Sequence, residues 1–341
     1  LHLRPRRQRQ MCIRDSSGHW FEFNKAVVEM NREDGHGVRV LAHQDVEKSI
    51  QDNIGAEPFF PWTNWDQIYN HPAAWRRYLS ILQHNWRVYR AMNRHFRESE
   101  AYDLVFVPTV VIYHLLAWWI LAKQFGGKKG KARRIVLLIR NSTASYESHD
   151  GEPRYTKSAG ILRFILQQYR GLLQRRHVRL TSDSHRLAEE YRRLAGVELI
   201  VLPHPCLLFP ATDLKRVEGE KNSISLSLPG PARWEKGPQV LLSALRMLEN
   251  RDNLPPLRVV FQWPDDIRTP DDEILRFDPE EFSDSAIEIF KITEPLTSDA
   301  YQNLLLRSDA IVLPYLRQAY FARISGVAVE AMLLGIPVIY T

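Results

Sequence analysis

Short apolar runs alternate with segments of helical spacing along nearly the whole chain, and the alternation occurs twice. In the front half, residues 20–33 carry Phe23, Ala26, Val27 and Met30 at helical intervals, and Asp34-Gly35-His36-Gly37 stops that helix. Buried-strand patterns follow at 38–43, 103–110, 132–140, 178–183 and 198–203, with helices predicted over 71–98, 111–124, 157–176 and 185–195. The back half repeats the scheme with strands at 223–230, 257–263, 286–292, 309–315 and 336–340 and helices at 237–250, 298–308 and 326–334. Such alternation predicts parallel strands joined by crossover helices, hence two Rossmann-like, doubly wound α/β domains facing a crevice. Pro203, Pro205 and Pro210 punctuate the chain where its charge balance changes, which sets the boundary between a front domain of residues 17–205 and a back domain of residues 206–341.

The length of 341 residues suffices for two such domains. Only two cysteines occur, Cys12 and Cys206, so a disulfide framework is excluded and no zinc spacing is present. That usage points to the reducing cytoplasm. The net charge of +6 is unevenly spread: residues 207–341 carry 14 Lys and Arg against 20 Asp and Glu, and residues 1–206 carry 32 against 20. A basic front half fits an anionic partner, whether nucleic acid, a membrane surface or a phosphate-bearing acceptor, and it equally fits a solvated basic surface. The apolar run at 111–124 is too short and too polar at its edges to span a bilayer. Residues 1–16, with five arginines and neither helical nor strand period, resemble translated sequencing-adapter DNA. They are expected to lie outside the fold.

Two segments carry chemistry. Leu228-Pro229-Gly230-Pro231-Ala232-Arg233-Trp234-Glu235-Lys236-Gly237 leaves the first strand of the back domain and enters a helix. A loop there aims backbone N–H groups and a positive helix end at an anion, and Arg233 and Lys236 add two cations able to stabilise a leaving diphosphate without a metal. The alternative is a surface turn with solvated charges. In the second segment a strand ends at Pro314-Tyr315, and Ser325-Gly326-Val327 opens a helix with Glu330 one turn inside. A carboxylate at that point can accept hydrogen bonds from ribose hydroxyls, and it is equally what a helix dipole favours.

Together these segments resemble the family-4 (group 1) retaining glycosyltransferases, which have the GT-B fold. The resemblance rests on "LPGPARWEKGPQVLLSAL", "EPLTSDAYQNLLLRSDAIVLPY" and "SGVAVEAMLLGIPVIYT", in that order, with "LTSDSHRLAEEYRRLAGVELIVLPHP" leading into the linker. It implies transfer of a hexosyl or related sugar from a nucleoside-diphosphate sugar to a glycan or lipid-linked acceptor, with retention and with no cofactor or required metal. It further implies an acceptor-side front domain, a nucleotide-sugar-binding back domain, a role in cell-surface polysaccharide biosynthesis and no nucleic-acid partner. Arg233 and Lys236 match the family's diphosphate pair, Gly230, Ser325, Gly326 and Val327 its donor loops, and Glu330 the second glutamate of its Glu-x7-Glu motif. The first glutamate of that motif is replaced by Ala322, with Arg323 and Ser325 as neighbours. Gly18-His19 resembles the end of the family's glycine-rich first loop and joins the donor-binding residues. By the same resemblance the chain is truncated at both ends, lacking the first strand of the front domain and the end of the back domain.

Other candidates are weaker. His114 stands where the family often has a residue near the reaction centre, and a buried core histidine is the favoured alternative. His149, Asp150 and Arg154 lie in a polar loop that could meet an acceptor, and Cys206 is taken as structural. Residues 75–97, with Trp75, Arg76, Arg77, Tyr78, Trp86, Arg87, Tyr89 and Arg90, fit peripheral contact with an anionic membrane on its inner face, or core packing, which is slightly favoured. Two other functions remain: a nucleotide-sugar epimerase of GT-B fold, and a catalytically degenerate GT-B binding module.

Overall fold

The computed structural model describes residues 8–12, 19–62, 74–147, 151–157, 159–205, 223–249, 251–263, 267–269, 271, 273–282, 286–294 and 296–341. It divides into two compact units, Leu1–Pro205 with Ala322–Ile324 and Cys206–Phe321 with Ser325–Thr341.

In the first unit the chain runs through β1 (Gln8–Cys12), α1 (His19–Glu33), β2 (Gly37–His43), α2 (Lys48–Ile54), β3 (Ala56–Phe60), α3 (Ala74–Glu98), β4 (Leu104–Val107), α4 (Ile112–Phe125), β5 (Ile135–Ile139), β6 (Ala144–Ser145), β7 (Arg154–Tyr155), α5 (Ala159–Gln168), α6 (Arg170–Gln174), β8 (Val178–Ser182), α7 (His185–Ala195) and β9 (Ile200–Val201). Seven strands form one parallel sheet in the order β3-β2-β1-β4-β5-β8-β9, and β6 and β7 make a small antiparallel pair. Right-handed crossovers put α1 and α2 on one face and α3 to α7 on the other. Accordingly α1 touches α2, while α3 packs on α4, α4 on α5 and α5 on α7. The sheet is rich in buried Val, Ile and Leu, among them Val40, Leu41, Val105, Ile135, Leu137, Val178 and Leu180. Local signals end the helices where they should: α7 is capped by Ser184 Oγ, which accepts from the Leu187 amide at 3.3 Å, and it stops at Gly196 in the left-handed region.

One sequence expectation is corrected here. Residues 1–16 are not all outside the fold and the first strand is not missing: Gln8–Cys12 pairs in parallel with both β2 and β4 at the centre of the sheet. The sequence argued against it because Gln-Arg-Gln-Met-Cys is polar where a central parallel strand is ordinarily apolar. Pairing needs only backbone N–H and C=O groups, and the slot between β2 and β4 otherwise leaves two rows of them unmatched. Two further differences are smaller. The helix predicted over 157–176 is split into α5 and α6 at Tyr169, and α2 and β3 were not foreseen.

The second unit contains β10 (Ile224–Leu228), α8 (Pro238–Glu249), β11 (Leu257–Gln262), β12 (Ile267–Arg268), β13 (Ile274–Leu275), β14 (Ile287–Ile292), α9 (Ser298–Leu306), β15 (Ala310–Leu313), α10 (Arg317–Tyr320), α11 (Gly326–Leu333) and β16 (Val338–Tyr340). Its five-stranded parallel sheet has the order β14-β11-β10-β15-β16, with β12 and β13 as a separate hairpin. Leu241, Leu242 and Leu245 of α8 join Phe261, Trp263, Phe277 and Phe282 in one core. Leu305, Ile311, Leu313, Val327, Ala331 and Ile336 form a second. Strand order reverses between β10 and β15, so the loops after these two strands lie side by side at the carboxyl edge of the sheet, where a doubly wound fold receives its ligand.

Candidate functional site

The loop after β10 is pinned at that reversal. The Ala232 amide donates to the Gln262 carbonyl at 3.0 Å, and the Leu316 amide donates to the Glu235 carbonyl at 3.0 Å. Trp234–Lys236 forms a 3-10 turn closed by Gly237 at φ +71. A Cβ at Gly237 would stand 1.7 Å from the Pro314 carbonyl oxygen, so only glycine lets the two loops meet backbone to backbone. α8 begins at Pro238, in keeping with the helix predicted from 237, so Arg233 and Lys236 sit on the turn that precedes it.

Lys236 is buried, and a Cβ at Gly230 would lie 3.0 Å from its Nζ. Among the described residues it forms no ion pair. Burial pushes its ammonium down to about 8, with the nearby Arg233 charge acting in the same direction and Glu235 opposing it. Arg233, more than half exposed, forms an ion pair with Glu235 at 3.4 Å. A buried cation with no ion pair among the described residues, beside a glycine-lined turn, has the electrostatics that favour an anion.

The loop after β15 supplies the other wall. The Tyr315 ring packs tilted against that of Tyr320 with centroids 4.2 Å apart. Its phenol is pushed well up by burial, and Ser325, Arg233 and Glu330 all act on it, which brings these residues into one neighbourhood. Ser325 Oγ caps α11 by accepting from the Ala328 amide at 3.2 Å. Gly326 and Val327 are buried in the first turn; the Val327 side chain belongs to the core, leaving its backbone N–H as what it can offer a ligand. Glu330 is buried and accepts a short hydrogen bond from the Tyr301 hydroxyl of α9.

His114 is buried in the first turn of α4, its ring 5.2 Å from that of His84 on α3. Ala322 is buried, and it and Arg323 group with the first unit. His19 is the first residue of α1. Arg154 is ion-paired with Glu147. Gly18, His149, Asp150 and Cys206 lie outside the described residues. Among the described residues no group of three or more His, Cys, Asp or Glu side chains is gathered that could hold a metal ion.

Sequence reasoning missed a second polar centre, in the first unit. Arg140 directly follows β5 and Asp183 directly follows β8, and Arg140 Nε donates to Asp183 Oδ2 at 2.8 Å with both side chains buried. The guanidinium lies 4.5 Å from the Phe23 ring, and its Nη2 is 3.5 Å from His204 Nδ1. Burial, aided by the Arg140 charge, lowers His204 to about 4. Tyr301 and Tyr315 were missed as well. The available signal was positional: polar residues immediately after apolar strands.

No family model and no curated protein matches this chain. Its fold does match solved structures. It is similar to a glycosyltransferase from Rickettsia africae, with a TM-score of 0.55 at 12% identity over 99% of this chain and 79% of that one. It is similar to HepE of Anabaena, solved in complex with UDP and glucose, with a TM-score of 0.51 at 13% identity over 96% and 79%. It is also similar to the N-terminal domain of a Candida albicans trehalose-6-phosphate phosphatase, with a TM-score of 0.60 at 10% identity over 97% and 82%. The architecture is thus that of the GT-B glycosyltransferases, two Rossmann-like α/β domains.

Proposed function

We propose that this protein is a retaining glycosyltransferase. It moves a hexosyl or related sugar from a nucleoside-diphosphate sugar to a glycan or lipid-linked acceptor in cell-surface polysaccharide biosynthesis. The observation that carries this reading is Lys236, buried at the switch point of the second sheet with no ion pair among the described residues. As the bond from the anomeric carbon to the diphosphate breaks, the electron pair stays on the phosphate oxygen. Lys236 and Arg233 stabilise that charge, which a fixed cation does best where water is excluded. The departing phosphate takes the proton of the attacking hydroxyl, so no side-chain base is assigned. Glu330, oriented by Tyr301, receives the ribose hydroxyls. With two cations already in place the reaction requires no metal. We place the protein in the cytoplasm, in keeping with its two cysteines, with peripheral contact to the inner face of the membrane.

The test is turnover of UDP- and GDP-sugars with EDTA present, with the anomeric configuration of the product read by NMR. UDP-glucose comes first, because HepE was solved with UDP and glucose. Turnover with retention in EDTA is expected; strict dependence on added Mn²⁺ or Mg²⁺, or an inverted product, overturns the mechanism. Ala322, in place of a motif glutamate, favours one second reading, a catalytically degenerate GT-B module that binds glycan or a partner. No turnover of any UDP- or GDP-sugar would favour that module.

A further inference from the structure

We infer that the outward face of α3 is a docking surface for an anionic lipid bilayer. This deepens the peripheral-membrane part of the proposed function and is independent of the sugar chemistry.

The helix has 25 residues, about 37 Å of length, and two unlike faces. One face is committed to the fold. His84, Val88, Met92 and Phe96 are buried, and Asn85 ties α3 to α4: its Oδ1 accepts from the Ala117 amide at 2.9 Å and its Nδ2 donates to the Ile112 carbonyl at 3.3 Å. The other face carries Trp75, Tyr78, Leu79, Leu82 and Trp86, spaced so that all five fall within about 60° of one line along the helix. Trp75, Leu79, Leu82 and Trp86 are each more than half exposed. The core-packing alternative weighed for these aromatics is thereby set aside. Two tryptophans and two leucines in one solvent-facing stripe exceed what a surface carries by chance.

Charge identifies the occupant. Between Ala74 and Arg97 the helix has six arginines and no carboxylate; Glu98 is its first acid. Arg76, Arg87, Arg90, Arg94 and Arg97 follow the flank of the apolar stripe, about 40° to 120° round from its centre. The same bias extends beyond the helix, since residues 1–206 carry 32 Lys and Arg against 20 Asp and Glu. Trp, Tyr and Leu flanked by a continuous arginine row is the composition that seats a helix in the headgroup region, with the rings at the acyl boundary and the guanidinium groups on lipid phosphates. A protein partner of matching chemistry would need an acidic rim around an apolar groove, and a second copy would set arginine row against arginine row. On the same side of the sheet, α5 exposes Phe164 beside Arg163. No helix among the described residues is long and apolar enough to cross a membrane, so the contact is with a surface.

The experiment is co-sedimentation of the full chain with large unilamellar vesicles of phosphatidylcholine alone and of phosphatidylcholine with about one third phosphatidylglycerol, together with the shift in tryptophan emission. Binding to the anionic vesicles is expected, with a blue shift and with affinity falling at least tenfold as salt is raised about tenfold. Trp75→Ser with Trp86→Ser should weaken binding at least about tenfold. Arg87→Gln with Arg90→Gln and Arg94→Gln should weaken it several-fold and flatten the salt dependence. Trp75, Trp86, Arg90 and Arg94 are exposed and Arg87 is half-buried, so unchanged thermal melting is expected of the tryptophan variant and at most a small shift of the arginine variant. Equal binding to neutral and anionic vesicles, or wild-type binding by both variants, overturns the inference. So does self-association that the tryptophan variant abolishes while wild type ignores vesicles. UDP binding is scored on the same preparations: vesicle binding without nucleotide binding supports the docking surface and counts against the sugar-transfer reading.

Discussion

The two units each bury a cation at the carboxyl edge of a parallel sheet, and they treat it in opposite ways. Arg140 in the first unit is held by Asp183 at 2.8 Å, with Phe23 under the guanidinium. Lys236 in the second unit has no ion-pair partner among the described residues, and burial lowers it to about 8. A paired buried charge has its counter-charge built in, whereas one with no ion pair raises the free energy of the empty protein until an anion arrives. On the proposed function, the first is a structural pair of the first unit and the second receives the diphosphate.

The sharpest way to break the comparison is to remove the carboxylate from the buried pair. Asp183→Asn leaves Arg140 buried beside a neutral amide and should cost about 3–5 kcal/mol of stability, read by urea unfolding. Arg140→Met combined with Asp183→Leu should recover most of that. A neutral Asp183→Asn would mean that the pair does not hold the sheet. Lys236→Met should act in the opposite sense on the empty protein, raising its stability by about 1–3 kcal/mol, while weakening nucleoside diphosphate binding by at least about 1.5–3 kcal/mol, measured by calorimetry. Loss of both stability and binding would make Lys236 a structural residue.

The pH dependence follows from the same lysine. Its pKa is lower in the folded state than in the unfolded, so the cost of burying it is full below about 8 and fades as pH rises toward 10.5. The stability gap between Lys236→Met and wild type should therefore close between those values. Nucleotide affinity should fall as pH passes about 8, where the free protein loses the ammonium, and that step should vanish in Lys236→Met.

Arg233 should matter less, because it is more than half exposed and already faces Glu235. Arg233→Ala should weaken nucleotide binding about tenfold, or about 1.4 kcal/mol. The smallest effect, about 1 kcal/mol, is expected at Glu330. Glu330→Gln should lose affinity for a ribonucleotide, and a 2′- or 3′-deoxy nucleotide should lose less in the variant than in wild type. Strict additivity at both deoxy positions would leave Glu330 as a partner of Tyr301 and the helix dipole only.

Much of the fold was legible in the residues. β2, β4, β5, β8, β10, β11, β14 and β15 all lie within apolar runs, and Gly35, Gly196 and Gly237 mark stops that a positive φ requires. β1 was not legible, since Gln8–Cys12 lacks the apolar signature of a central strand and is defined by the neighbours that pair with it. The split between α5 and α6 escaped for a related reason: apolar residues recur through 159–174, and the turn at Tyr169 breaks the hydrogen-bond ladder without breaking the pattern. At the site, Arg233, Lys236 and Glu330 stood out by their spacing from glycines. Tyr301, 29 residues before Glu330, and Asp183, 43 residues after Arg140, had no local mark of partnership.

By itself the sequence determined the alternation of strands and helices, the glycine turns and the residues that each switch-point loop presents, because periodicity and backbone freedom are local properties. Which cation is paired, and which has no ion pair among the described residues, was decided only in three dimensions. The charge state of Lys236 and the pairing of Arg140 depend on burial and on side chains brought from distant strands. The meeting of Gly237 with Pro314 and of Arg140 with Asp183 exists only once the parallel sheets have closed, since a parallel sheet aligns the ends of strands that are remote in the chain.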